Sequence, residues 1–190
     1  MKELYIFAGP NGSGKSTIIQ ASIKRSICAG NYICPDNFVA TKDKDKFEPY
    51  IAAMQKAEAA RYQEIALGNS FTIETVLSTP EKLEFIRYAK RQGYKIHTEY
   101  VSTNSPEINI ARVKERVLHG GHDVPTDKII SRYEKCMQLM FDVVAESDRA
   151  YITDNSGGSP FLAAKKSDGK IIVVKSTPWL EKYLISKMPQ

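Results

Sequence analysis

A chain of 190 residues, 42% hydrophobic and 26% charged, is long enough to bury a real core and has the composition of an ordinary globular protein. No apolar run approaches the roughly 20 residues that a membrane helix needs, and three cysteines without a CxxC pair exclude a disulfide framework and fit a reduced, cytoplasmic setting. The net charge of +5 is dispersed without an aromatic-basic repeat. That argues against nucleic acid as a partner and leaves two readings, a solvated surface or a pocket for a polyanion.

Residues 2–8 are mostly apolar, as in a strand buried on both faces, and run directly into a glycine-rich loop, so they read as a strand and not as a targeting segment. A helix is expected over about 15–25, then a short strand near 32–34 ending at Pro35-Asp36. Residues 46–67, rich in Ala, Glu, Gln and Met, predict a long helix stopped by Gly68-Asn69. Phe71 to Val76 is a β-branched strand, and Thr79-Pro80-Glu81 opens a helix that Gly93 ends. A strand follows over 94–101, and Ser105-Pro106-Glu107 opens a helix that Gly120-Gly121 breaks. A further helix spans 126–146, then a strand at 150–153, a hairpin of 161–165 with 170–174 across Ser167-Asp168-Gly169, and a last helix from Pro178. Strand and helix alternate, which implies right-handed βαβ units. The expected fold is α/β, a P-loop NTPase-type three-layer α/β/α sandwich with a mostly parallel central sheet, an antiparallel edge and a helical lid over about 112–132, all in one domain spanning 1–190.

The segment Gly9-Pro10-Asn11-Gly12-Ser13-Gly14-Lys15-Ser16-Thr17 fulfils the pattern G-x-x-x-x-G-K-[ST], with a buried strand before it and a helix after it. Glycines let successive backbone N–H groups curl inward at phosphates, and the helix adds its positive end. Lys15 is expected to reach the β- and γ-phosphates of ATP, and the Ser16 hydroxyl to ligate Mg2+. The base-reading pattern N-K-x-D of GTPases is absent, and no apolar run ends in Asp-Glu as in motor ATPases. Size and motif favour a small-molecule kinase, whose other residues must bind an acceptor hydroxyl.

A hydroxyl nucleophile needs a carboxylate to take its proton. Asp36, at the C-terminal end of the second strand, is placed for that, although Pro35-Asp36-Asn37 is also good turn chemistry. Glu74 is an acid inside an apolar strand, which points to substrate binding or to an ion pair in the sheet. Thr75 follows it. Arg112 and Arg116 share a helix face at i,i+4, Arg132 lies on the next helix, and His119-Gly120-Gly121-His122-Asp123-Val124-Pro125 is a glycine hinge between them. Cations about a hinge suit a lid that closes over phosphates, the alternative being solvated helix faces. His119 and His122 lack an obvious third ligand for a metal, and His122 reads as a hinge or acceptor-site residue.

Taken in order, the glycine loop, Pro35-Asp36-Asn37-Phe38, Phe71-Thr72-Ile73-Glu74-Thr75, the run from Arg112 through the Gly-Gly hinge to Arg132-Tyr133, and Tyr151-Ile152-Thr153-Asp154-Asn155-Ser156 resemble the zeta-toxin family of P-loop kinases over about residues 3–175. The resemblance implies a toxin of a toxin–antitoxin pair. Family members phosphorylate the 3′-hydroxyl of the amino sugar of UDP-N-acetylglucosamine. It further implies that Asp36 is the catalytic base, that Glu74 binds the acceptor, and that Arg116 and Arg132 clamp phosphate, with Arg112 able to replace Arg116. Any antitoxin would be a separate protein, since no such segment is visible in this compact chain. Two other readings stand beside a nucleotide-sugar kinase: a kinase for another metabolite or antibiotic hydroxyl, and an ATP-binding switch acting through a partner protein.

Overall fold

The apolar run at the start of the chain becomes β1 (Glu3–Ala8), flanked by parallel neighbours on both sides, and its Leu4, Ile6, Phe7 and Ala8 are buried. The computed structural model describes residues 1–25, 27–39, 47–121 and 123–189. Among these, α1 (Lys15–Lys24), β2 (Asn31–Ile33), α2 (Phe47–Leu67), β3 (Phe71–Thr75), α3 (Pro80–Arg91) and β4 (Lys95–Ser102) alternate. They are followed by α4 (Pro106–Leu118), α5 (Thr126–Glu146), β5 (Arg149–Asp154), β6 (Phe161–Ser167), β7 (Lys170–Val173) and α6 (Pro178–Tyr183). The strands form one sheet in the order β2-β3-β1-β4-β5-β6-β7, parallel from β2 to β5 and antiparallel beyond. The mostly parallel α/β sheet and its antiparallel edge hairpin are thus as expected.

The order locates the ligand crevice. The chain moves one way from β1 to β2 and the other way from β3 to β4, so right-handed crossovers put α1 and α3 on opposite faces. Connections diverge at the carboxyl ends of the adjacent strands β1 and β3, which is where open α/β sheets hold ligands.

The main core packs β1, β3, β4 and β5 against α3, α5 and α6, with Leu4, Ile73, Ile96, Met137, Met140 and Leu180 almost wholly inaccessible. Two buried aromatic side chains there have their polar groups paired. The Tyr100 hydroxyl donates to the Cys136 carbonyl at 2.7 Å, and the Trp179 indole donates to Asp154 at 2.7 Å. A smaller cluster of Val113, Val124 and Ile129 joins α4 to α5.

Two local details depart from the expectations, and a third sharpens one of them. Pro35–Phe38 is a turn of 3-10 helix, because Pro35 fixes φ and cannot extend the strand that ends at Ile33. Thr79 and Ser105 occupy the N-cap positions of α3 and α4, but neither side chain caps a backbone N–H of its helix, so the helix start is set by the prolines that follow them. The β6–β7 turn places both Asp168 (φ 52) and Gly169 (φ 75) in the left-handed region, the type I′ geometry that matches strand twist.

Candidate active site

The loop after β1 owes its shape to close approaches by neighbouring backbone and side chains. Gly12 has φ 73, and a Cβ there would lie 2.6 Å from the Asn109 carbonyl oxygen. Gly14, at φ 96, is the N-cap of α1, and its Cβ would lie 2.3 Å from the Asn155 amide nitrogen. No side chain can stand at either point, so the loop is pinned between α4 and the end of β5. Asn155 also donates to the Ser13 carbonyl at 2.8 Å, and its own N–H bonds to the Ser102 carbonyl at 2.8 Å. The sequence run ending in Asp154-Asn155-Ser156 is therefore a brace for the loop. Asp154, buried, accepts from both Trp179 and the Ser156 N–H, which holds the brace in place.

Lys15 leads α1 and is buried at 5% exposure, with its ammonium donating to the Pro10 carbonyl at 2.8 Å. Burial lowers its pKa from the ordinary lysine value. An ammonium held by one neutral carbonyl has two donors left for an anion. One residue on, the Ser16 hydroxyl donates across to Glu74 at 3.2 and 3.3 Å to its two carboxylate oxygens. The Tyr32 hydroxyl donates to the same carboxylate at 2.7 Å, and burial pushes that phenol well above its usual pKa, so it remains a donor. Among the described residues Glu74 thus has hydroxyl partners and no ion pair.

These groups open on one cavity of about 700 Å³. Asn11, Gly12, Gly14, Lys15, Ser16 and Thr17 line it, together with Asp36, Glu74, Thr75, Arg112, Arg116 and Arg132. Gly9, Pro10 and Ser13 of the motif are buried behind the loop and support it. Asp36, exposed on its 3-10 turn, reaches the cavity although β3 separates β2 from β1. Arg132 donates to the Asn11 side chain at 3.4 Å, and one terminal nitrogen of Arg112 is buried without a partner. His122 lies outside the described residues. His119 caps the end of α4 on the surface, with its ring bonded to the Glu115 carbonyl at 2.8 Å, and is not part of the cavity.

Sequence reasoning missed two cavity cations. Arg61 on α2 donates to the Glu74 carbonyl at 3.0 Å, and Lys82 on α3 donates to the Val76 carbonyl. Each sits in a charged, helix-forming stretch that reads as a solvated face. No pattern in the sequence distinguishes an Arg or Lys that turns inward there.

Residues 1–166 match the zeta-toxin family. The chain belongs to the zeta-toxin family. An uncharacterized protein of Haemophilus influenzae is 32% identical over 130 residues, covering 67% of this chain and 89% of that one. The zeta-toxin fold is shared with the AvrRxo1-ORF1:-ORF2 complex with ATP, at a TM-score of 0.75 and 17% identity over all of this chain. This chain spans 65% of that protein's length. The PezAT toxin–antitoxin system of Streptococcus pneumoniae also shares it, at a TM-score of 0.62 and 17% identity, covering all of this chain and 81% of that one. A putative kinase from Chloroflexus aurantiacus matches at a TM-score of 0.52 and 15% identity over 69% of this chain and 79% of its own. Zeta-toxin membership and this kinase-like fold together support a kinase-type phosphotransferase. Among the described residues no helix is long and apolar enough to cross a membrane.

Proposed function

We propose that this protein is an ATP-dependent kinase that phosphorylates a hydroxyl of a nucleotide sugar such as UDP-N-acetylglucosamine. The observation that carries the reading is the meeting of Lys15, Ser16, Glu74 and Asp36 on one cavity. The residues present fit the groups the reading requires. Gly12 and Gly14 let Asn109 and Asn155 close behind the loop, and the Lys15 ammonium on its other side is hydrogen-bonded to the neutral Pro10 carbonyl. Ser16 offers a hard oxygen donor of the type Mg2+ takes alongside phosphate oxygens and water, and an all-protein cage is not needed.

When bound, ATP with its Mg2+ supplies the phosphoryl group and a compact positive charge. Lys15 would exchange the Pro10 carbonyl for phosphate oxygens, and the Ser16 hydroxyl would turn from Glu74 to the metal. Glu74, steadied by Tyr32, would hold the acceptor, with Thr75 beside it. The Asp36 carboxylate would accept the hydrogen bond and then the proton of the acceptor hydroxyl. Arg116 and Arg132, with Arg112 next to them, would act as a lid over 112–132 that places positive charge where negative charge spreads. On this reading residues 1–190 act as one kinase domain in the cytoplasm. The toxin–antitoxin neighbours support a separate antitoxin protein as partner.

The test is to incubate the purified protein with ATP, Mg2+ and UDP-N-acetylglucosamine, and in parallel with a metabolite extract, and to find by mass which compound gains a phosphoryl group. Phosphorylation of the nucleotide sugar supports the reading. Labelling of a different compound replaces the acceptor. No labelling at all, with ATP bound, overturns the kinase in favour of a switch.

A further inference from the structure

We infer that Arg61 and Lys82 form an anion subsite that holds a phosphate or diphosphate carried by the acceptor itself. The inference rests on the cavity being an acceptor site, and it adds which side chains would hold the acceptor's phosphates. The two cations come from different helices, α2 and α3, onto one short segment. They donate to the carbonyls of Glu74 and Val76. The two carbonyls belong to residues two apart at the end of β3, so the guanidinium and the ammonium are both brought to one short stretch of the cavity wall.

A carbonyl orients a cation but does not neutralise it. Among the described residues no carboxylate lies within ion-pair distance of either group. Glu58, one turn before Arg61, is the main acid acting on that guanidinium. Lys82 instead feels Arg61, Arg132 and Lys15, and burial together with these like charges lowers its pKa to about 8. Glu74 is already engaged by Ser16 and Tyr32, and Glu81 is exposed. The Arg61 Nε is buried with no partner. Partly desolvated cations without an ion-paired carboxylate are unfavourable unless a ligand completes them, and a guanidinium fork with an ammonium is suited to phosphate.

The subsite adjoins the glycine loop, close enough for Lys82 to feel Lys15, but it is built on different elements. Lys15 and the N-terminal end of α1 face the donor side, whereas Arg61 and Lys82 stand on the wall of α2 and α3, next to the apolar side chains of Met54, Phe85 and Ile86. That wall offers an anion site followed by an apolar shelf. An acceptor that is phosphorylated and carries a base or other flat apolar group satisfies both, while a free sugar or free nucleoside satisfies at most one.

The probe is inorganic pyrophosphate, titrated without magnesium into wild type, Lys15→Ala, and the double variant Arg61→Gln/Lys82→Gln. Calorimetry should give two sites in the wild type, one in Lys15→Ala, and only the loop site in the double variant. Each single substitution, Arg61→Gln or Lys82→Gln, should weaken the second site by roughly tenfold or more, as expected for a charge-assisted bond. The double variant without ligand should melt no lower than wild type, because two uncompensated cations are gone. If Lys15→Ala binds no pyrophosphate, the subsite does not exist, and this result needs no substitution at Arg61 or Lys82. Two sites in the double variant would overturn it as well. Failure of the wild type to bind an ATP analogue would remove the kinase reading while a Lys82-dependent pyrophosphate site still stood.

Discussion

The loop between β1 and α1 is braced by the polypeptide itself, whereas the wall formed by α2, β3 and α3 is lined by long cations whose bonded partners are backbone carbonyls. At the loop, Asn109 and Asn155 press against glycines, and Asn155 is in turn fixed by Ser13 and Ser102. At the wall, Arg61 and Lys82 are aimed but uncompensated. The difference is one of preorganisation. A triphosphate is the same in every kinase, so its cradle can be rigid backbone. An acceptor is particular to each, and side chains that await a counter-charge can be retuned without disturbing the sheet.

The largest effect is expected at the acceptor side. Asp36→Asn keeps the turn, since Asn serves Pro-X turns as well as Asp, but cannot take a proton. Turnover should fall by about 10²- to 10⁴-fold with ATP affinity retained. Equal turnover in a single-turnover assay would reduce Asp36 to a turn residue. A loss partly restored by raised magnesium would move it to metal binding.

On the loop side, Lys15→Ala should reduce turnover by about 10²- to 10³-fold. The melting temperature without nucleotide should barely move, because the bond lost to the Pro10 carbonyl is offset by removing a buried charge. The stabilisation on adding ATP and magnesium should shrink, since ligand binding raises the stability of the native state alone. Wild-type turnover in this variant would break the kinase reading outright. Arg116→Ala and Arg132→Ala should each do less, lowering kcat by about 10-fold or more while leaving ATP affinity near normal. If both variants turn over normally, the cations around the hinge are not a lid.

How much of this was legible in the sequence follows the same division. The loop could be read residue by residue because backbone geometry restricts which residues fit there, and restriction leaves a pattern. The alternation of strands and helices and the Asp168-Gly169 hairpin were legible for the same reason. Glu74 stood out because an acid in an apolar strand is rare. Arg61, Lys82 and Tyr32 left no such mark, since Arg and Lys on helices and Tyr on an edge strand are common. Only the three-dimensional convergence on the end of β3 singles them out. Asn155 lay within a recognisable run, but its grip on Ser13 depends on β4 and β5 ending side by side, which no local pattern encodes.

The smallest effect serves as a control on whether an uncompensated buried charge is simply tolerated in this fold. Glu99 on β4 is largely buried, and its carboxylate accepts one hydrogen bond, from the Thr153 hydroxyl at 2.5 Å. Burial pushes its pKa up to about 7, against a bond from Thr153 that lowers it. It lines no part of the cavity, so no ligand is available to it. With the folded pKa above the unfolded one, the native state binds the extra proton. Stability from this group is therefore full below about pH 4.5 and is lost as pH rises towards 7. Glu99→Gln should remove that loss. Its melting temperature should match wild type at pH 4.5 and exceed it at pH 8 by a few degrees, on the scale of about 2–4 °C per kcal/mol for a chain of this size. The corresponding change at the cavity wall, Lys82→Gln, should raise stability at neutral pH in the same way, because a lysine titrating near 8 disfavours the native state until it deprotonates. The two substitutions part when pyrophosphate is added: the wild-type advantage should return only where Lys82 was removed. An identical response of both variants to the anion would mean that the wall is no more a ligand site than β4 is.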